Sequence, residues 1–164
     1  MPPDMVAPPL APAPTAVPTA GRAVEGKWLH ATCVEFCGAG VALLGASGCG
    51  KSDLALRLID AGATLVADDQ LWVELSAEGL ISRAADRLAG LLEVRGLGIV
   101  RLPHRRDAPL KLVVKLTTAD QVDRLPQPST YRLLETELRC LLLDPWEASA
   151  VAKIRVALTA EQVV

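Results

Sequence analysis

The sequence predicts an α/β fold with a mixed sheet, and three observations support this prediction. An apolar run at residues 41–44 leads into a glycine-rich loop and then into a segment with helical spacing. Several other segments alternate apolar and polar residues and are joined by short turns, a pattern typical of antiparallel hairpins. The last periodic segment, residues 146–158, follows Asp144-Pro145 and predicts an amphipathic helix.

The glycine-rich loop fits the phosphate-binding pattern G-x-x-x-x-G-K-[ST]. Its glycines allow positive φ, so backbone N–H groups can turn inward around an anion, together with those that begin the following helix. Lys51 can contact the β- and γ-phosphates of a nucleotide, and the Ser52 hydroxyl can ligate Mg²⁺. The structural alternative is a plain turn between strand and helix. We expect a nucleoside triphosphate site at Gly45, Ala46, Ser47, Gly48, Cys49, Gly50, Lys51 and Ser52.

Composition and charge limit the class of protein. The chain of 164 residues has room for one domain, and with 51% hydrophobic but only 3% aromatic residues its core must consist mainly of Leu, Val and Ala. Because 17 basic residues are balanced by 19 acidic ones, the protein has no overall electrostatic field that would attract nucleic acid or a membrane surface. No apolar run is long enough to span a membrane, and no secretory signal is recognisable. We therefore expect a cytoplasmic protein.

Residues 1–26 are rich in Pro and Ala and lack the periodicity needed to bury a face, which predicts a disordered tail ahead of a domain at residues 27–160. Near the start of the domain, an alternating segment carries Cys33 and Cys37. No second Cys/His pair follows at zinc spacing, so we expect both thiols to pack in the core.

Residues 28–36 alternate loosely, and Gly38 to Gly40 turn the chain into the strand before the glycine loop, which predicts a hairpin. His30 lies on its first strand, where a lone histidine is usually structural. Helical spacing follows at residues 52–61 and ends at Gly62.

A short buried strand then ends in Asp68 and Asp69, near the expected phosphates. Because successive strand residues point to opposite faces, one carboxylate can face a reacting hydroxyl or a metal while the other is held by the framework. An ordinary strand-ending turn is the alternative.

Residues 71–75 and 80–83 predict a second hairpin. In residues 90–100, Glu93 and Arg95 would share a face of an extended segment, either to hold metal and phosphate or as a surface ion pair. We expect a solvated loop at residues 103–107, a strand at 110–116, a mobile loop at 121–129 and a final strand at 138–143. The fold class is thus mixed α/β, a P-loop core with added antiparallel strands and a C-terminal helix.

From about Trp28 to Leu143, and more weakly to Leu158, the sequence resembles the catalytic domain of the HPr kinase/phosphorylase family. The resemblance rests on His30, on GASGCGKSDLALRLIDAG, on LVADD and above all on LLEVRGLGI. It implies an ATP- and Mg²⁺-dependent kinase that phosphorylates a serine of an HPr-like phosphocarrier of the phosphotransferase system. It also implies a regulatory role in carbon or nitrogen metabolism and assembly as a homo-oligomer, commonly a hexamer.

The resemblance further implies roles for individual residues. Asp68 resembles the general base toward the substrate serine, with Asp69 close to the metal and His30 as the histidine kept near the base. The other implied roles are Lys51 at the phosphates, Ser52 and Glu93 at Mg²⁺, and Arg132 as a further active-site arginine.

The sequence departs from the family pattern in two places. Full-length members carry an additional N-terminal domain, whereas a Pro/Ala tail precedes Trp28 here, as in shortened forms. Members with strong phosphorolytic activity have a Pro, Gly, Arg, Asn segment after the last strand, and residues 141–147 here read LLLDPWE. We therefore expect weak phosphorolysis. The alternatives are a nucleotide-sensing module that binds ATP and a partner with little transfer, and, less well supported, a small-molecule kinase.

Overall fold

The structure, a computed structural model, describes residues 24–163. Eight strands of this region form one mixed sheet, and two more form a separate hairpin. The strands of the large sheet are β1 (Gly26–Phe36), β2 (Ala39–Leu44), β3 (Thr64–Ala67), β4 (Gln70–Ser76), β5 (Gly79–Ala84), β8 (Asp107–Leu116), β9 (Ser129–Leu133) and β10 (Thr136–Leu143). The separate hairpin is β6 (Leu91–Val94) and β7 (Gly98–Arg101), and the helices are α1 (Lys51–Asp60) and α2 (Ala150–Thr159), with short 3₁₀ turns at Asp86–Leu88 and Ala119–Gln121.

Strand β2, which leads into the glycine loop, lies at the centre of the arrangement. It pairs antiparallel with β1 on one side and parallel with β8 on the other, and β10 runs parallel to β8. The long strands β1 and β8 also pair with β4 and β5, which closes the sheet onto itself. The carboxyl ends of β2, β8 and β10 therefore meet at one edge, where the glycine loop begins.

The sheet separates two apolar cores, and strand β2 contributes buried side chains to both of them. Ala42 faces the inside of the closed sheet, whereas Leu43 and its neighbour Val41 face helices α1 and α2. A strand alternates its side chains between two faces, so both faces of β2 are buried. The hairpin β6–β7 adds a third cluster, in which Leu92 packs with Leu65 of β3.

The predicted fold class is confirmed, as are the hairpins β1–β2 and β4–β5. Residues 90–100, expected to be one extended segment, instead form the hairpin β6–β7, because Gly96 and Gly98 adopt φ of 89° and 94° and turn the chain. Helix α2 begins at Ala150 rather than at residue 146, since the residues after Pro145 form turns. Strand β9 was not predicted; the sequence indicated only the loop at residues 121–129 that leads into it.

The two N-terminal cysteines, Cys33 and Cys37, differ in solvent exposure. Cys33 is fully buried in the core, as expected, and burial raises the pKa of its thiol to about 12. The expectation for Cys37 is wrong: it lies exposed in the β1–β2 turn with φ 52°. The predicted tail falls largely outside the described residues, and β1 begins at Gly26. Neither described helix has the length and apolarity needed to cross a membrane.

Helix α2 provides a test of the core between the helices and the sheet. Ile154 is fully buried there, while Val156 on the same helix is 58% exposed. We expect Ile154→Ala to lower the free energy of unfolding by about 2–5 kcal/mol, because it removes buried methylenes and leaves a cavity. Val156→Ala, the matched control, should change it by less than about 0.5 kcal/mol. Urea denaturation measures both, and similar losses for the two variants would contradict the assigned face of α2.

Candidate active site

The glycine loop connects β2 to α1 in the order strand, loop, helix that a phosphate-binding loop requires. Gly50 caps α1 with φ 103°, a conformation that favours glycine. A Cβ on Gly50 would lie 3.0 Å from the indole ring of Trp146, and a Cβ on Gly45 would lie 2.5 Å from the Cys49 sulfur. Both positions are therefore restricted to glycine by their close neighbours.

Lys51 is held at this loop by the loop's own backbone. Its side chain is buried, and its Nζ donates hydrogen bonds to the carbonyl oxygens of Gly45 at 2.8 Å and Ala46 at 3.0 Å. An ammonium group has three donors, so these two bonds orient the group and leave a third donor for an anion. The cation thus lies at the loop where phosphate oxygens would be bound.

The carboxylate of Asp68, which follows β3, is fixed by three hydrogen bonds. Its Oδ1 accepts from the hydroxyls of Thr32 and Ser52, both at 2.9 Å. Its Oδ2 accepts from the backbone N–H of Glu93 at 3.1 Å. These donors come from β1, α1 and β6, so Asp68 joins three elements beside the glycine loop.

The carboxylate of Asp69 has a different environment. Asp69 adopts φ 67°, which breaks the pairing of the chain with β1 between β3 and β4. Its side chain is 60% exposed, and Oδ1 lies 3.1 Å from Nδ1 of His30, itself on β1 opposite Gln70. The two neighbouring aspartates therefore differ, as the sequence suggested: one is held by the framework and one is open to solvent.

A cavity of about 440 Å³ opens beside the glycine loop and is lined by both aspartates. Glu93 at the end of β6 and Arg95 in the turn that follows also border it, so the LLEVRGLGI segment contributes through a hairpin. The remaining lining residues include Ser47, Gly48, Gly50, Lys51, Ser52, Asp53, Leu56, Val94 and Trp146.

The oxygen donors around this cavity fit Mg²⁺ better than a metal that needs a full protein cage. Within residues 24–163, no group of three or more His, Cys, Asp or Glu side chains could hold a metal by itself. Mg²⁺ usually takes one or two carboxylates together with waters and substrate phosphates. The Ser52 hydroxyl and the carboxylates of Asp68 and Glu93 are donors of this kind.

Arg132 is the one predicted site residue that lies apart from the cavity of its own chain. It lies on β9 opposite Glu137, at the start of β10, and its guanidinium pairs with Glu135. The glycine loop follows β2 at the opposite edge, because β2, β8 and β10 run parallel. Arg132 and the glycine loop are therefore near opposite edges of the sheet.

Sequence reasoning missed two residues of the site. Thr32 is fully buried and bonds Asp68 across 36 positions of the chain, a pairing that only the β1–β3 register creates. Trp146 was assigned to the last helix, yet it precedes α2 and lies over Gly50. An isolated aromatic after Asp-Pro, in a chain with few aromatics, was the available signal for Trp146.

A mixed sheet, a glycine loop with the phosphate-binding pattern and adjacent carboxylates together define a domain of the P-loop class. The family model described as the HPr Serine kinase C-terminal domain matches residues 23–159, and the chain belongs to this family.

Named relatives and a solved structure agree with this assignment. The HPr kinase/phosphorylase of Bordetella pertussis is 39% identical over 128 residues, which cover 71% of this chain and 42% of the relative. That of Cupriavidus metallidurans is 40% identical over 113 residues, or 63% of this chain and 35% of the relative. The chain thus spans less than half the length of these relatives. The Hpr(Ser) kinase/phosphatase structure from Coxiella burnetii has the same fold, with a TM-score of 0.70 at 22% identity, covering 80% of this chain and 92% of that one.

The bond from Thr32 to Asp68 yields a prediction for stability. We expect Thr32→Val, which keeps the shape of the side chain, to lower the free energy of unfolding by about 1.5–3 kcal/mol, because a hydrogen bond from a buried hydroxyl to a charged, half-buried carboxylate is lost. Thr130→Val on the exposed edge of β9 is the control and should have an effect below about 0.5 kcal/mol. Denaturation of both variants measures this, and an unaffected Thr32→Val protein would show that the bond does not stabilise the fold.

Proposed function

We propose that this chain is an ATP-dependent serine kinase that phosphorylates an HPr-like phosphocarrier of the phosphotransferase system. The observation that carries the proposal is the exposed pair of Asp69 and His30, 3.1 Å apart, beside the cavity of the glycine loop. A phosphate cradle with a carboxylate open to an incoming hydroxyl has the two parts that phosphoryl transfer requires. The names of the relatives supply the substrate class.

The geometry favours Asp69 as the general base and Asp68 as the carboxylate beside the metal, the reverse of the roles that the resemblance suggested. Asp68 uses both oxygens to accept bonds from the framework, and one donor is Ser52, the expected Mg²⁺ ligand. Asp69 is 60% exposed and its second oxygen can accept a proton from a substrate serine. A base must reach the hydroxyl that it deprotonates, and Asp69 is the more accessible of the two.

His30 would act on Asp69 rather than on the phosphate. Its Nδ1 contacts Oδ1 of Asp69, which orients the carboxylate toward the cavity. Lys51 would exchange its bonds to the loop carbonyls for bonds to the transferred phosphate, since the loop holds it within reach. Mg²⁺ bound near Ser52, Asp68 and Glu93 would neutralise charge on the β- and γ-phosphates.

The alternative is a module that binds ATP and a partner with little transfer. A module of this kind needs the cradle but has no use for an accessible base. The open carboxylate of Asp69 favours the kinase.

The proposal is tested by incubation with ATP, Mg²⁺ and an HPr-like protein, followed by intact-mass measurement. We expect one phosphate on the carrier. Asp69→Asn should retain ATP binding and lose about 10²–10⁴-fold in transfer rate, the usual contribution of a general base. Asp107→Asn, which alters an exposed aspartate at the start of β8, is the matched control and should transfer at the parent rate.

Asp68→Asn separates the two assignments of roles. It should raise the Mg²⁺ concentration needed for half-maximal rate, because the altered carboxylate lies at Ser52. Normal transfer by Asp69→Asn, with a rate loss in Asp68→Asn that Mg²⁺ does not relieve, would restore Asp68 as the base. An unmodified carrier with intact ATP binding would favour the nucleotide-sensing module.

We also propose that phosphorolysis is weak. Free phosphate lacks the nucleoside contacts that orient ATP, so additional cationic groups must orient it. In the segment after β10, Glu147 pairs with Lys153, and Asp144 accepts a hydrogen bond from the backbone N–H of Trp146, so this segment offers two carboxylates and no cation of its own. The nearby cation Arg57 is also engaged, by Asp53 and by the carbonyl of Pro145. Lys153 and Arg57, the two cations that contact this segment, are therefore already engaged within the protein.

The expected result is a serine phosphorylation rate far above the rate of phosphorolysis at millimolar phosphate. Both rates are measured on one preparation, as phosphate transfer from ATP and as pyrophosphate release from phosphoserine-HPr. Comparable rates would refute this proposal and leave the kinase assignment intact.

We further expect a cytoplasmic homo-oligomer, a hexamer by family resemblance. Arg132 lies near the sheet edge opposite to its own chain's glycine loop, so a role in catalysis would require the cavity of a neighbouring copy.

A further inference from the structure

We propose that the indole of Trp146 is the stacking surface for the nucleobase, and that the base enters a second cavity on the β8–β10 side of the glycine loop. This inference rests on the proposed use of a nucleoside triphosphate. It concerns the end of the nucleotide opposite to the reacting phosphate.

The indole lies directly against the glycine loop and is open to solvent. Trp146 is 64% exposed, and two of its ring carbons lie 3.0 and 3.3 Å from the position of a Cβ on Gly50. The ring borders both the cavity of Asp68 and Asp69 and a second cavity beside Cys49. An exposed aromatic ring beside a phosphate cradle is suited to stack on a base, because every base has a π-face.

The segment that carries Trp146 is fixed before any ligand binds. The backbone N–H of Trp146 donates to Oδ1 of Asp144 at 3.0 Å, and the Arg57 guanidinium donates to the carbonyl of Pro145. Glu147 is tied to Lys153 on α2. Because the backbone that carries the ring is held in place, less conformational entropy is lost when a base stacks on the indole.

The strand order gives the direction of the nucleotide across the loop. The pair of His30 and Asp69 lies on the β1 side of β2, whereas residues 117–119 and 144–146 follow β8 and β10 on the other side. The γ-phosphate must approach Asp69 for transfer. A triphosphate held along the glycine loop therefore extends its nucleoside toward the β8–β10 side, where Trp146 is found.

The second cavity has the size and chemistry for a base. Its volume is about 280 Å³, close to the lower end of the roughly 300–1,000 Å³ typical of ligand pockets, and a base is smaller than most such ligands. Its walls are mainly apolar and include Cys49, Leu116 and Pro145. Asp144 supplies a carboxylate at its edge, which can accept a hydrogen bond from the exocyclic amino group of a purine.

The test compares the binding of ATP with that of inorganic tripolyphosphate, both with Mg²⁺, by calorimetry. Tripolyphosphate contains the phosphate chain but no base. We expect Trp146→Ala to weaken ATP binding about 5- to 150-fold, the usual effect of losing one base–aromatic stack, and to leave tripolyphosphate binding unchanged. Trp146→Phe should restore most of the lost ATP affinity, since it keeps an aromatic face.

Trp28→Phe is the matched control, because Trp28 packs against Trp72 with ring centroids 5.1 Å apart and tilted planes, and it lines neither cavity. Its affinities should equal those of the parent protein. Unchanged ATP binding in Trp146→Ala would overturn the inference. Equal weakening of ATP and tripolyphosphate would overturn it as well, by showing that the indole only supports the glycine loop.

The experiment distinguishes failure of the stacking surface from failure of the proposed kinase function. Parent protein that binds ATP with the expected dependence on Trp146 but leaves the carrier unmodified would refute the kinase and support the stacking surface. Parent protein that binds tripolyphosphate and ATP equally well would refute the stacking surface and leave the kinase unaffected. Parent protein that binds neither would refute both.

Discussion

The carboxylate of Asp68 holds the candidate site together. It accepts hydrogen bonds from Thr32 on β1, from Ser52 at the start of α1 and from the backbone of Glu93 on β6. These elements are far apart in the chain and each carries part of the site: β1 carries His30, α1 carries Lys51, and β6 leads to Arg95. A half-buried carboxylate with three donors is well satisfied, whereas loss of a donor would leave part of its desolvation uncompensated. The bond from Glu93 therefore connects Asp68 to the hairpin β6–β7, which also packs on β3 through Leu92 and Leu65.

The adjacent residue, Asp69, shows how one left-handed backbone conformation gives two neighbouring aspartates different environments. A regular strand through Asp68 and Asp69 would continue the pairing with β1, which resumes at Gln70 opposite His30. Asp69 instead adopts φ 67°, a left-handed conformation that is unfavourable for most residues with a Cβ and that Asp adopts more readily than most. The result is an exposed carboxylate against His30, next to a carboxylate held inside the framework. This difference in environment supports the proposed roles of Asp69 as the general base and Asp68 as a carboxylate beside the metal.

The closed sheet gives the glycine loop two different sides. On the β1 side are the titratable groups His30 and Asp69, and on the β8 side are an apolar cavity and the indole of Trp146. The loop itself, with Lys51 bonded to two of its carbonyls, lies between them. An asymmetric ligand with a charged end and a flat apolar end would be oriented by this arrangement alone. The contact of Gly50 with Trp146 shows that the loop and the segment after β10 are packed together.

The sequence alone was sufficient for the parts of this protein that depend on local pattern. The order strand, loop and helix around Lys51, the hairpins β1–β2 and β4–β5 and the mixed α/β class follow from periodicity and glycine placement, which act over a few residues. The resemblance carried by LLEVRGLGI gave the family. What only the tertiary structure decided depends on contacts between distant segments: the bond of Thr32 to Asp68 across 36 positions, the exposed pairing of Asp69 with His30, the distance of Arg132 from the cavity and the indole over Gly50. No local propensity encodes these contacts, because strand register and sheet closure, which bring the segments together, are properties of the whole fold.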